Sequence, residues 1–247
     1  MLYLDEFDSM FDDWMYEEDV NIEPFSAVKD LMSIVSAKFS HSLSNGENEQ
    51  YDHFISKALA AQQKLIMMFY AKQKALEAKS SFESTQNMDF PSLYGLGKTA
   101  LLFYLESIIV FARNSLDVIA TIYGFWVYHK RFDSFNKFSK KILNESNPTL
   151  SSLKEFYTNL ANDELSSFRL LCGNEKGRAL RDIIIHQANI NLQYMEYMEN
   201  REKEKLFILI NGIEPIEFDF FVEFFPRDVL TLIDKTTNFL KNCSSSD

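Results

Sequence analysis

The string Arg181-Asp182-Ile183-Ile184-Ile185-His186 sets a guanidinium, a carboxylate and an imidazole around three consecutive isoleucines. The isoleucines predict a helix packed closely on a core, running from about 175 to about 200. At roughly 3.6 residues per turn, Arg178, Asp182, His186, Asn189, Gln193 and Glu196 share one polar face of that helix. Asp182 precedes His186 by four residues, within reach of its imidazole. Arg181 stands near the helix start, where the macrodipole and free N–H groups favour anions, and Lys176 and Arg178 add positive charge beside it. A phosphate arriving there would meet cations, an open helix end and a group that titrates close to neutral pH.

No other segment assembles so complete a set. Gly97-Lys98-Thr99 matches the end of a phosphate-binding loop, but the pattern asks for a glycine five residues earlier and that position is Ser92. Gly-x-Ser-x-Gly, His-Glu-x-x-His and calcium-loop patterns are missing from the sequence. His41 and His53 flank a polar loop and read as solvated; His129 lies in a basic connector and reads as a surface residue. Cys172 and Cys243 are too few for a disulfide framework or a zinc site.

The elements that position these residues follow from composition and periodicity. Apolar residues make up 46% of 247, with 23 Phe against only 7 Gly and 5 Pro, which favours long helices over many short strands. The expected fold is mainly α, a helical bundle forming one compact domain with a β-hairpin near the C-terminus. Helices are predicted at 24–40, 53–80, 97–130, 149–171 and 175–200, with a last one starting at Pro226. The segment 97–130 is apolar around most of its circumference, as in the central helix of a bundle, and Glu106, Arg113 and Asp117 form its one polar stripe. Residues 42–52 read as a loop, 81–95 as a connector, and 129–141 as a basic, aromatic-laced connector. Asn211-Gly212 marks a two-residue hairpin turn, and Ile216, Phe218 and Phe220 alternate with Glu217 and Asp219 like a strand. Pro215 assigns that strand to a sheet edge. The chain thus divides into residues 1–95, an acidic, aromatic segment with a helical extension packed on the core, and residues 96–247, the bundle with its hairpin at about 205–224.

Charge is unevenly spread. The whole chain carries 25 basic and 36 acidic side chains, a formal charge of −11. Nine of the acids and no Lys or Arg lie in residues 1–24, so the rest holds 25 basic against 27 acidic and is nearly neutral. The total argues against non-specific coating of nucleic acid, which needs clustered cations, while a near-neutral body can still carry a basic local site. No basic-then-apolar leader opens the sequence, and Glu106, Arg113, Asn114 and Asp117 interrupt its most apolar run. The expectation is a cytoplasmic protein that does not engage a membrane.

The Arg181 to His186 string resembles the Arg-x4–6-His signature of the HEPN superfamily of helical bundles, many of them metal-independent ribonucleases of toxin–antitoxin, antiviral-defence and CRISPR systems. Asp182 matches the polar residue that usually follows the family's Arg, and the motif's place on a late helix beside a long apolar one also matches. The likeness spans residues 97–242. It implies an endoribonuclease without metal or cofactor. His186 would be general acid or base on the 2′-hydroxyl and leaving oxygen. Arg181 would hold the scissile phosphate, and Asp182 would orient the imidazole. Lys176, Arg178 and Asn189 would bind the RNA substrate. It also implies a homodimer that joins two motifs, and an antitoxin or other regulatory protein as partner. Ala188 stands where one sub-family carries a tyrosine modified by its antitoxin, so that mode of control is not implied.

The alternative is a non-catalytic interaction or regulatory module, or a nucleotide-binding HEPN-like protein, in which Arg181 and His186 pair with acids such as Glu106 or Asp117. The N-terminal acids also suggest a built-in phosphate mimic covering Lys176, Arg178 and Arg181. Deleting residues 1–23 should then strengthen RNA binding in a gel-shift titration; unchanged affinity would rule the mimic out.

Overall fold

The structure is a computed structural model that describes residues 35–40, 46, 48–85, 91–173, 179, 190–196, 204–210 and 213–244. Two long helices, α1 (Asn48–Thr85) and α2 (Pro91–Tyr128), set its frame. On α1, Phe54, Ala58, Ala61, Leu65, Met68, Ala71, Ala75, Ala78 and Phe82 are buried at steps of three and four residues. On α2, Leu101, Leu105, Ile108, Ala112, Ser115, Ile119, Ile122 and Trp126 follow the same rhythm. A repeat close to 3.5 keeps one seam turned toward a partner helix along its whole length. The Phe54 and Phe125 rings lie 4.9 Å apart, Lys64 sits 5.8 Å from the Phe111 ring, and Gly97 abuts Phe82. The two helices are therefore antiparallel. Because each is buried by the other, α1 reaches into the expected loop at 42–52 and both reach into the expected connector at 81–95.

A helical stretch at 35–40 packs across the start of α1, its Phe39 ring 4.3 Å from Phe54. After α2 come α3 (Phe135–Leu143), a 3-10 turn (Pro148–Leu150), α4 (Ser151–Asn162) and α5 (Ser167–Cys172). The second half of the expected basic connector is thus helical. Ser134 caps α3 by accepting from the Lys137 N–H, and Phe135, Phe138 and Ile142 turn inward while Lys140 and Lys141 face solvent. The expected helix at 149–171 is broken in two, because Ser166 accepts from the Arg169 N–H and starts a new helix there. Phe135, Tyr157 and Phe168 close this corner with ring centroids 5.0 to 6.2 Å apart.

The C-terminal part corrects two expectations. Residues 191–196, placed on the helix of 175–200 by spacing alone, form strand β1 (Asn191–Glu196). Leu192 is buried and Gln193 exposed, a period of two, and Leu192 pairs opposite Ile208 of β2 (Glu204–Ile210). Without β1, the apolar strand β2 would keep an open edge. Gln193 and Glu196 are consequently not on a helical face with His186. β2 also pairs with β3 (Ile213–Glu217), giving the order β1-β2-β3 with Pro215 on an edge strand as expected. The hairpin stops at Glu217 rather than near 224, because α6 (Phe218–Ser244) starts there and takes Pro226 inside it. Phe218, Phe221, Val222, Phe225 and Val229 are buried at helical spacing, and that burial outweighs the alternation read over 216–220. The Tyr123 hydroxyl, fully buried, lies 2.6 Å from Thr237 Oγ1 and donates to the Ile233 carbonyl, locking α2 to α6.

One helix among the described residues, Gly97–Tyr128, is long and apolar enough to cross a bilayer; 61% of its most apolar window is buried inside the fold. At its end the chain doubles back over Gly124. His129 adopts φ 49°, and the Lys130 N–H returns to the Gly124 carbonyl at 3.4 Å. A Cβ at 124 would overlap the Phe132 ring and stand 2.8 Å from the Lys130 carbonyl oxygen, so glycine is what permits this close turn. Gly97 differs: a Cβ there would sit an ordinary 3.5 Å from Phe82. Gly124→Ala should cost about 1–3 kcal/mol by overpacking, whereas Gly97→Ala should gain up to about 1 kcal/mol from helix propensity. Thermal melts of both variants check this, and equal shifts would contradict it.

Candidate anion-binding groove

The turn over Gly124 brings a basic loop back beside α1. Between them lies a groove of about 810 Å³, walled by His53, Lys57 and Lys64 of α1 and by Lys130, Arg131, Phe132, Asp133 and Lys137 of the turn and α3. Asn114, Asp117, Val118 and Thr121 of α2 form its floor, one stripe at steps of three and four residues. His53, Lys57 and Lys64 likewise share a face of α1, four and seven residues apart. The loop is held in place by Thr121, whose hydroxyl donates to the Phe132 carbonyl at 3.1 Å.

Five cations and two carboxylates line this groove, and the carboxylates are already engaged. Asp117 accepts from the Phe135 N–H at 2.8 Å and pairs with Arg113 at 3.1 Å. Arg113, itself buried, also donates to the Leu171 carbonyl, so Asp117 serves as an anchor between α2, α3 and α5. Asp133 pairs with Lys137 at 2.8 Å, and that pair holds its carboxyl below the usual carboxylate range. Lys64 lies near the Met67 sulfur and over the Phe111 ring. Among the described residues, no acid stands within ion-pair distance of Lys57, Lys130 or Arg131. Three cations without an acidic partner among the described residues converge on one cavity in a chain of net charge −11. Charges of one sign in a walled cleft focus the local field and attract anions.

His53, read as solvated, is half-buried. Its Nε2 is shielded from solvent and has no hydrogen-bond partner among the described residues, with the ring set edge-on to Phe54 at 5.6 Å. Burial foremost, then the Arg131 and Lys57 charges, lower its pKa from the ordinary histidine value. The one clue in the sequence was the alignment of His53, Lys57 and Lys64; nothing there tied that face to the loop at 130–137.

The residues singled out from the sequence, Lys176, Arg178, Arg181, Asp182, His186 and Asn189, lie outside the described residues, as do the acidic residues 1–24 and the turn at 211–212. Lys98, of the partial phosphate-loop pattern, donates to the Asn191 side chain at 3.1 Å and so ties α2 to β1. Cys172 is a buried free thiol whose pKa is pushed up to about 11 by burial, which keeps it protonated and unreactive at neutral pH. Compared with protein-family models, with curated proteins and with solved structures, the chain matches none.

If the groove takes a polyanion, Lys57→Ala with Arg131→Ala should weaken binding of single-stranded RNA and flatten its salt dependence. The slope of log K against log salt should fall by about 0.7 for each phosphate no longer neutralised. An unchanged slope and affinity would show that the groove is not the binding surface.

Proposed function

We propose that this protein is a HEPN-like, metal-independent endoribonuclease that holds RNA in the basic groove. The observation that carries the binding half is the convergence of Lys57, Lys130 and Arg131, without acidic partners among the described residues, on one cavity of an acidic chain. Phosphate contacts dominate affinity for nucleic acid, and they need clustered, uncommitted cations of this kind. The catalytic half rests on the Arg181 to His186 string and its resemblance, supported by a mainly helical bundle built on a long apolar helix.

In this reading, Lys57, Lys130 and Arg131 fix the backbone of the RNA. Arg131, with its planar fork, suits two oxygens of one phosphate. Arg181 holds the scissile phosphate, and His186 takes the 2′-hydroxyl proton or supplies one to the leaving 5′ oxygen. The products would be a 2′,3′-cyclic phosphate and a 5′-hydroxyl end. As in the family, two chains would pair to complete the site, and a toxin or antiviral role would follow from cleavage of cellular or invading RNA.

One observation favours a protein-contact module instead. Phe220 and Phe224 stack on each other at 5.0 Å on the outer side of α6 while remaining 42% and 39% exposed. Exposed paired aromatics are typical of interaction surfaces.

The deciding experiment is cleavage of a mixed RNA pool in EDTA by the wild type, His186→Ala and Arg181→Ala. The ribonuclease reading predicts cutting by the wild type and silence from both variants while their helical circular dichroism is retained. Absence of wild-type cleavage, or equal cutting by the variants, would leave the protein-contact reading in its place.

A further inference from the structure

The groove gathers like charges that call for a counter-charge, and the chain itself carries one. Five cations face two carboxylates there, and both carboxylates are bonded within the fold. Residues 1–24 hold nine acids and no Lys or Arg, whereas the rest of the chain is close to balance. Aromatic side chains, Phe7, Phe11 and Trp14 among them, are interleaved with those acids. Val118 and Phe132 give the groove an apolar part that matches them.

The chain enters the described structure beside the groove. Residues 1–34 precede the fully buried Val35. The helical stretch at 35–40 then sets Phe39 4.3 Å from the Phe54 ring and 6.3 Å from Phe125, with Lys38 5.7 Å from the Trp126 ring. Phe54 adjoins His53 on one wall of the groove, and Trp126 comes one helical turn before Lys130 on the other. From His53 to Lys64 the groove follows α1 for about 17 Å, at 1.5 Å per residue. Residues 25–34, between the acids and Val35, would span about 33 Å if extended and about 15 Å if helical. Reach does not limit docking in either form.

We infer that the acidic segment, residues 5–19, seats in the groove of its own chain. Its carboxylates pair with Lys57, Lys130 and Arg131, and its aromatics lie against Phe132 and Val118. This moves the phosphate mimic suggested by the sequence away from Lys176, Arg178 and Arg181 and onto the α1 wall. Exposed ion pairs are weak one at a time. A short tether, however, holds the segment at an effective concentration on the order of millimolar, so that several pairs form together. The segment and RNA then compete for the same cations. That competition, unlike the docking, rests on the groove being the RNA-binding surface.

The test is zero-length carbodiimide crosslinking of the full chain, which joins a carboxylate to a lysine amine only at contact, with the links mapped by mass spectrometry. Links from the acids of 5–19 should fall on Lys57 and Lys130. In an equal mixture of 15N-labelled and unlabelled protein they should stay within one chain. They should fade at about 1 M salt, where the Debye length is about 3 Å. Asp12→Asn, Asp13→Asn, Glu17→Gln, Glu18→Gln and Asp19→Asn together should raise affinity for a short single-stranded RNA several-fold. Lys57→Ala with Arg131→Ala should abolish that gain. Links as frequent on Lys235 and Lys241 as in the groove, links to Lys176 instead, or links between labelled and unlabelled chains would overturn the docking. Their absence from the groove, with RNA binding still dependent on Lys57 and Arg131, would overturn it too and leave the RNA reading standing. Groove links without any gain in RNA affinity on neutralisation would uphold the docking and remove the groove as the RNA surface.

Discussion

A helix of 38 residues that is apolar around most of its girth cannot stand in water, and α2 is such a helix. Helices α1, α3 and α6 and strand β1 pack against it. α1 runs antiparallel along one seam, where Ala58, Ala61, Ala71, Ala75 and Ala78 are buried among larger apolar residues. α6 covers another side through the Tyr123–Thr237 bond and its apolar stripe, and α3 closes its C-terminal end. Burying a large aliphatic or aromatic side chain yields roughly 1.5–3 kcal/mol, so the many buried positions on α2 outweigh any local preference at its edges. At the groove this covering stops. Asn114, Asp117, Val118 and Thr121 form a stripe polar enough to stay open, and the chain arching over Gly124 lays its cations across it.

That geometry gives an acidic chain a locally basic cleft. The Debye length at physiological ionic strength is about 8 Å, so charges elsewhere on the surface are largely screened from the groove. Its own cations, set on opposite walls, dominate the local potential. The carboxylates inside it cancel little of this field, because both are bonded within the fold. Asp117 holds the first turn of α3, and Asp133 holds Lys137. Removing Asp117 would free no binding capacity; it would loosen α3 and with it the basic wall.

How much of this was legible in the sequence differs by element. The two long helices were plain, because a seam repeating at three and four residues has no other explanation, and only their ends extended further than local signals suggested. Pro215 gave the edge strand correctly, since a residue without an N–H has few other places in a sheet. β1 was not legible: Asn191-Leu-Gln-Tyr fits a helix or a strand, and only the open edge of β2 decides between them. The start of α6 was hidden for a related reason, as Ile216, Phe218 and Phe220 satisfy a period of two while Phe218, Phe221 and Phe225 satisfy a helix. The basic character of 129–141 was visible, yet its other wall lies some seventy residues earlier on α1. Convergence of that kind is a product of packing, and no local window contains it. His53 was misread because it follows a polar loop, whereas Arg131, which lowers its pKa, comes from a distant part of the chain.

The central claim is that RNA lies between α1 and the loop that follows α2. Photo-crosslinking with 4-thiouridine-containing RNA, followed by peptide mapping by mass spectrometry, tests it directly in the unaltered protein. The account predicts adducts concentrated in residues 53–64 and 130–137. Adducts confined to α6 or to the strands, with none on those two segments, would contradict it.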